Sequence, residues 1–204
     1  AWSGAGRREC EFAGRAGKAG TGPRGEGQDG RPAAAEWRLG IERMTTANGR
    51  NLVATVGTLE CLPGAVNVIP GQVKLSLDVR GPRDDDLSAL LETLLAKGRD
   101  IAARRGLIFA AEQFYGICAT ECHAGLQHRL SQSVLQLQGQ AMSLPSGAGH
   151  DAIAIAERWP VGMLFVRCKD GISHHPDESV MTGDVAYAVQ AYINTVLSFA
   201  EGHL

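Results

Sequence analysis

Four apolar residues at every second position, Val73, Leu75, Leu77 and Val79, constrain this chain more than any other feature. A side-chain period of two belongs to a strand with one face in a core, and slipping it by one residue would turn all four toward water. Gln72–Val79 is therefore expected as a strand, and its neighbours in sequence have to cover it. Leu87, Leu90, Leu91, Leu94, Leu95 and Ile101 follow at three- and four-residue spacing and predict a helix. It starts at Asp84-Asp85-Asp86, where acidic residues suit the positive helix end, and stops at Gly106. Upstream, Ala34, Trp37, Ile41 and Met44 predict a helix over Ala33–Thr46, closed by Asn48-Gly49. Arg31-Pro32 precedes it, and because proline is tolerated only in a first turn, a late start is expected. Leu52–Leu59 and Leu107–Tyr115 read as strands, and Glu9–Ala13 alternates weakly enough to read as a short first one. The order strand, helix, strand, strand, helix, strand is ferredoxin-like, an α+β sheet with two helices on one face.

A different pattern begins near Thr120. Leu126, Leu130, Val134 and Leu137 predict an amphipathic helix. A glycine-rich loop, Ser146-Gly147-Ala148-Gly149-His150-Asp151, leads to a short helix ending near Glu157, and Val161–Val166 reads as an apolar strand. A polar loop through Pro176 precedes a last helix whose Val185, Val189, Ile193, Val196 and Leu197 are expected to face inward. This is half of an α/β layer. A lone strand cannot make a sheet, so another segment has to supply its neighbours.

Composition removes several classes of function. With 44% hydrophobic residues the chain can build a core, while a net charge of −2 and a pI of 6.3 give no basic field for nucleic acid. No apolar run approaches the roughly 20 residues of a membrane span, and the start has no secretory core region. The five cysteines, Cys10, Cys61, Cys118, Cys122 and Cys168, form no CxxC pair and read as free thiols of a reducing cytoplasm. Nine of the 26 glycines fall in residues 1–30, a composition that disfavours regular structure there. The chain opens on Ala1 almost directly at a strand-like segment, the expectation being a start in mid-protein.

Three polar clusters carry possible chemistry. Asn67, in Ala65–Gly71, and Arg80, at a strand end, suit a substrate that is both amide and acid, since Asn donates and accepts and Arg forks onto a carboxylate. A turn-forming Asn and a solvated Arg are the plain alternative. Gly149 and His150 stand where a loop enters a helix, a place that favours anions and gives His150 access to a site; a capping loop is the alternative. In Gly171–Glu178, adjacent His174 and His175 on a strand would point to opposite sides, leaving one imidazole for a given pocket. A metal site needs about three protein ligands, and this loop offers one. Asp177 and Glu178 read equally as charges at a helix N-terminus.

Asn67-Val68-Ile69-Pro70-Gly71 through Asp78-Val79-Arg80, then Ser146–Ala152, then Gly171-Ile172-Ser173-His174 occur in order at matching intervals. Together they resemble the allantoate amidohydrolases, N-carbamoyl-L-amino-acid hydrolases and β-alanine synthases, a dinuclear-metal branch of the aminoacylase-type metallopeptidases. The resemblance implies a ferredoxin-like lid that forms a homodimer contact (residues 1–117), followed by the C-terminal part of an α/β catalytic domain (residues 118–204). It implies metal-dependent hydrolysis of non-peptide C–N bonds in a linear ureido or carbamoyl acid, with Mn, Zn, Ni or Co as the divalent ion. His174 matches a terminal metal ligand, Arg80 the lid arginine on the substrate carboxylate, and Asn67 its companion. Gly149 and His150 match the loop that touches substrate from across the cleft. Lid closure would carry Asn67 and Arg80 over the metals.

The departures are as definite. The family's lid histidine falls at Lys18 in Gly17-Lys18-Ala19-Gly20-Thr21, a flexible point charge in place of a fixed ring. The Pro23–Gly30 stretch departs from the family wording and Arg31-Pro32 falls where helix residues are expected, so against the resemblance residues 1–32 read as a degenerate part of the lid. The other metal ligands and the general-base glutamate would precede Ala1. The chain is thus expected to be inactive alone; the alternative is a non-catalytic dimerisation or interaction module derived from such an enzyme.

Overall fold

The computed structural model describes residues 1–18, 28–48 and 51–200. The chain divides into two compact units, one of Ser3–Ala119 with Ser146–Ala148, the other of Ala1–Trp2, Thr120–Pro145 and Gly149–Leu204.

In the first unit the chain forms β1 (Gly4–Ala13), β2 (Gly17–Lys18), α1 (Gly30–Asn48), β3 (Val53–Leu62), β4 (Val68–Ile69), β5 (Gln72–Gly81), α2 (Asp84–Arg104) and β6 (Ile108–Ile117). The main sheet runs β3-β5-β1-β6, every pair antiparallel, so the first and third long strands lie in the middle, as in a ferredoxin-like sheet. The period of two in β5 sets the register. Val73, Leu75, Leu77 and Val79 are buried against α1 and α2, and Gln72, Lys74, Ser76, Asp78 and Arg80 line the opposite face. Polar cross-strand pairs occupy that face: the Gln72 amide donates to Glu11 at 2.8 Å, and Lys74 lies 3.3 Å from Glu9. Phe12, Trp37 and Phe109 meet at centroid separations of 5.0–5.8 Å, and the buried Trp37 indole donates to the Leu94 carbonyl at 2.8 Å. Gly98 makes room for this cluster, because a Cβ there would stand 2.6 Å from Phe109 Cζ.

Two expectations need correction here. The first strand is twice as long as Glu9–Ala13 and lies inside the sheet, since its partners on both sides, β5 and β6, complete its ladder despite the weak local pattern. The first helix starts at Gly30, ahead of Ala33. Asp29 caps it, accepting from the Arg31 amide at 2.9 Å, and Pro32 then sits in the first turn, where its missing N–H goes unused. The eroded stretch Ala19–Gly27 and the Gly49 stop signal lie outside the described residues.

The second unit holds α3 (Ala124–Gln138), α4 (Ala152–Ala156) and α5 (Thr182–Ala200). Trp2 anchors its start, bridging Thr120 and donating its indole N–H to Met163 Sδ at 3.2 Å. The helices α3 and α5 pack together, with Leu130 and Ala191 buried and a buried hydroxyl pair, Ser133 and Thr195, 3.1 Å apart. Val161–Val166 is not a strand of any sheet, because no described residue supplies a ladder for it. The apolar stripe of α5 is corrected too. Val185, Val189, Ile193, Val196 and Leu197 are 39–64% exposed instead of facing inward, since the side that meets α3 is the one carrying Ala191 and Thr195.

Candidate functional site

Each unit holds its own share of the expected site residues. In the first, β5 carries Asp78 and Arg80 two residues apart, hence on one face. The Arg80 guanidinium forks onto Asp78, Nε to Oδ1 at 3.1 Å and Nη2 to Oδ2 at 2.9 Å, while Nη1 donates to the Gly147 carbonyl at 2.8 Å. Arg7, the direct cross-strand neighbour of Asp78, donates Nε to the same carboxylate at 3.0 Å and lies 4.7 Å over the Tyr115 ring. Burial pulls the Asp78 carboxyl upward, but the hydrogen bond and charge of Arg80, joined by Arg7, hold it below the ordinary aspartate value. Two guanidinium groups thus share one carboxylate, leaving local positive charge and unused N–H donors on Arg80.

Because the folded-state pKa of Asp78 is depressed, its stabilising contribution is present above the ordinary aspartate range and is lost as pH falls through the folded value. The melting temperature of the chain should exceed that of Asp78→Asn at about pH 6, and the gap should shrink as pH falls below the ordinary aspartate range. Thermal unfolding of both proteins across that range checks this; a gap independent of pH contradicts it.

Asn67 is an exposed turn residue directly before β4. The small ladder β2–β4 pairs Lys18 with Val68, so the backbone of Lys18 runs beside the residue that follows Asn67. The side chain of Lys18 lies outside the described residues. Among the described residues no hydrogen bond joins Asn67 to Arg80.

In the second unit, Gly149 and His150 are exposed ahead of α4. The expectation of an anion cradle is met by a different arrangement: His150 Nδ1 accepts from the Ala152 amide at 3.0 Å, taking one first-turn N–H for itself. A neutral imidazole accepting at Nδ1 carries its proton on Nε2, a donor suited to a carbonyl or carboxylate oxygen. Trp2 stacks on this ring at 6.0 Å with planes 21° apart.

His174 sits in a loop, not on a strand, so alternation does not decide which imidazole faces a pocket. Its backbone is left-handed (φ 57°), and its N–H donates to Glu178 Oε2 at 2.7 Å, while Glu178 Oε1 lies 3.9 Å from Cys168 Sγ. His175 is turned to its own loop, Nδ1 accepting from the Asp177 amide at 3.2 Å. Asp177 and Glu178 are therefore not helix N-terminal charges; α5 begins only at Thr182, and Glu178 fixes the backbone of His174 instead. Asp78, Arg7 and Glu178 received no such roles from the sequence. The Asp-x-Arg spacing on an alternating strand was the signal available for the first.

Among the described residues, no three His, Cys, Asp or Glu side chains are placed to hold a metal ion. Near His174, Glu178 is engaged with the His174 amide and the Asp177 carboxylate lies 3.4 Å from His175 Nδ1, so the donor set does not by itself fit a metal centre. No described helix is long and apolar enough to cross a membrane.

Known proteins give these residues a context. The model of peptidase family M20/M25/M40 matches residues 27–198. A probable allantoate deiminase of Oryza sativa subsp. japonica is 36% identical over 90% of this chain and 43% of its own length. An N-carbamoyl-L-amino-acid amidohydrolase of Pseudomonas sp. (strain NS671) is 33% identical over 93% of this chain and 46% of its own. In structure, a hydantoinase/carbamoylase family amidase from Burkholderia multivorans superposes with a TM-score of 0.88 at 29% identity, covering 97% of this chain and 48% of that one. The chain thus spans a little under half the length of these relatives. The match extends through the segments that carry Asn67, Arg80, His150 and His174, and the chain belongs to peptidase family M20/M25/M40.

Proposed function

We propose that this chain is the substrate-recognising lid and the C-terminal catalytic portion of an amidohydrolase acting on a linear ureido or carbamoyl acid, of the allantoate or N-carbamoyl-amino-acid kind. The observation that carries the reading is Arg80, held in a fixed plane by Asp78 and the Gly147 carbonyl with donors to spare. A pre-set fork of this kind is what a small carboxylate substrate requires. Arg80 binds the substrate carboxylate, Asn67 the neighbouring amide, and Gly149 with the His150 Nε2–H a second oxygen. Lys18, where the family has a histidine, supplies positive charge only. The names of the relatives support the ureido and carbamoyl substrate class.

The reading assigns His174 as one imidazole donor to a divalent ion, Mn, Zn, Ni or Co, whose remaining ligands come from outside the described residues. Residues 1–117 act as lid and homodimer contact, residues 118–204 as the closing part of the catalytic domain, in the cytoplasm. A second reading, a non-catalytic interaction module derived from such an enzyme, is favoured by Lys18 standing where the family has a histidine. The two separate in a polypeptide joining this sequence to the half of an M20 relative that it does not span. The first reading expects hydrolysis of allantoate or an N-carbamoyl amino acid, and His174→Ala should lower both rate and metal-to-protein ratio. Unchanged metal content in His174→Ala would remove that residue from the site, and a folded but inactive protein would favour the module.

A further inference from the structure

The ring of His150 is held from two sides. Its Nδ1 accepts from the Ala152 amide at 3.0 Å, and the Trp2 indole stacks on it with centroids 6.0 Å apart and planes 21° from parallel. Among the described residues its side chain makes no other hydrogen bond or ring contact. The loop gives little support of its own: His150 is exposed, and a Cβ at the preceding Gly149 would meet no heavy atom within 4 Å. A side chain in such a place samples several rotamers unless something packs against it. The bond to Nδ1 selects a tautomer, but only while the ring stays in the plane that bond requires.

Trp2 is suited to keep that plane because it is itself anchored at three points. Its side chain is fully buried. The indole N–H donates to Met163 Sδ at 3.2 Å. The backbone exchanges two hydrogen bonds with Thr120, the Trp2 amide donating at 2.8 Å and the Trp2 carbonyl accepting at 3.0 Å. Filling space alone would need only an aliphatic side chain. A broad ring tethered at its N–H and laid nearly parallel to an exposed imidazole does more, since offset-stacked rings resist turning against each other.

We infer that Trp2 is a positioning residue for His150. The stacked indole keeps the imidazole in the plane in which Nδ1 receives the Ala152 amide, so that in the neutral ring the proton stays on Nε2 and points in one direction. Trp2 touches no substrate and acts through His150 alone. A donor set in place beforehand spends less of the binding energy on its own ordering than a free rotor does. The inference rests on the reading of His150 as a donor to a substrate oxygen.

The test is NMR of the imidazoles in the complete 204-residue chain, at about pH 8, above the ordinary imidazole range. His150, assigned by the signals lost in His150→Ala, is expected as a single tautomer protonated at Nε2, its ring protons shifted upfield by the indole. Trp2→Phe keeps a flat neighbour and should retain the tautomer with a smaller shift. Trp2→Leu fills the space without a ring and should give a mixture of both tautomers. In the polypeptide completed by the other M20 half, Trp2→Leu should lower kcat/KM several-fold, and no further once His150 is already Ala. Absence of the upfield shift in the wild-type chain overturns the inference, whether or not the variants fold. So does a single Nε2–H tautomer in Trp2→Leu, or a Trp2→Leu penalty that is undiminished in His150→Ala, which assigns Trp2 to packing alone. An unchanged kcat/KM in His150→Ala sinks the reading of His150 as a substrate donor and the inference with it; the upfield shift, still present in the wild-type chain, tells that failure from the first.

Discussion

The purified 204-residue chain, incubated with Mn²⁺ or Zn²⁺ and either allantoate or an N-carbamoyl amino acid, is expected to release no ammonia above a protein-free control. Amide and ureido carbons are unreactive, and enzymes accelerate such reactions by about a million-fold or more. In a metal-dependent hydrolase that acceleration needs an ion gripped by about three protein donors with one position open. Among the described residues no such group exists, and the Glu178 carboxylate is engaged with the His174 amide. Weak metal binding through a lone imidazole is compatible with this; stoichiometric binding is not. Ammonia release at an ordinary turnover, roughly 1–1,000 per second, would contradict the assignment of the missing donors to residues outside this chain.

The second large effect concerns Arg80. In a polypeptide completed by the other M20 half, Arg80→Ala should lower kcat/KM for a carboxylate substrate by about 1.5–3 kcal/mol, the range for a hydrogen bond to a charged group. That is roughly ten- to 150-fold. The geometry argues for a loss in substrate recognition and not in folding: Asp78 keeps Arg7 as a partner when Arg80 is removed, so no carboxylate is left bare. Arg80→Lys should recover little, because a single ammonium cannot span both Asp78 oxygens and a ligand in one plane. An unchanged kcat/KM in Arg80→Ala removes Arg80 from the site.

The sheet of the first unit was legible because its signals are local. The alternation in β5 and the leucine spacing in α2 each specify a face without help from distant residues. The first strand was read short because only its pairing with β5 and β6, which no local pattern encodes, extends it back to Gly4. The late helix start failed for a related reason: Asp29 supplies a cap that lets Pro32 sit in the first turn. In the second unit the helices were legible, but burial was not. A stripe such as Val185–Val189–Ile193–Val196 fits a buried helix face, and does not record whether the described residues supply anything to bury it. The Val161–Val166 strand failed on the same point, since a strand exists only where a neighbour pairs with it.

The candidate site residues were named from motif order and interval; their partners were not. Asp78 lies within the Asp78-Val79-Arg80 run, yet its role depends on Arg7, seventy-one residues away in sequence and adjacent across the β1–β5 ladder. Glu178 was read as a helix charge, because the tight turn that brings it back to the His174 amide has no signature in spacing alone.

The central claim is that Arg80 recognises the carboxylate of a ureido or carbamoyl acid. It is tested most directly with the completed polypeptide, comparing Arg80 and Arg80→Ala on an N-carbamoyl amino acid and on its carboxamide, which lacks the negative charge. The account predicts a large kcat/KM penalty for Arg80→Ala on the acid and almost none on the carboxamide. An equal penalty on both substrates would contradict it.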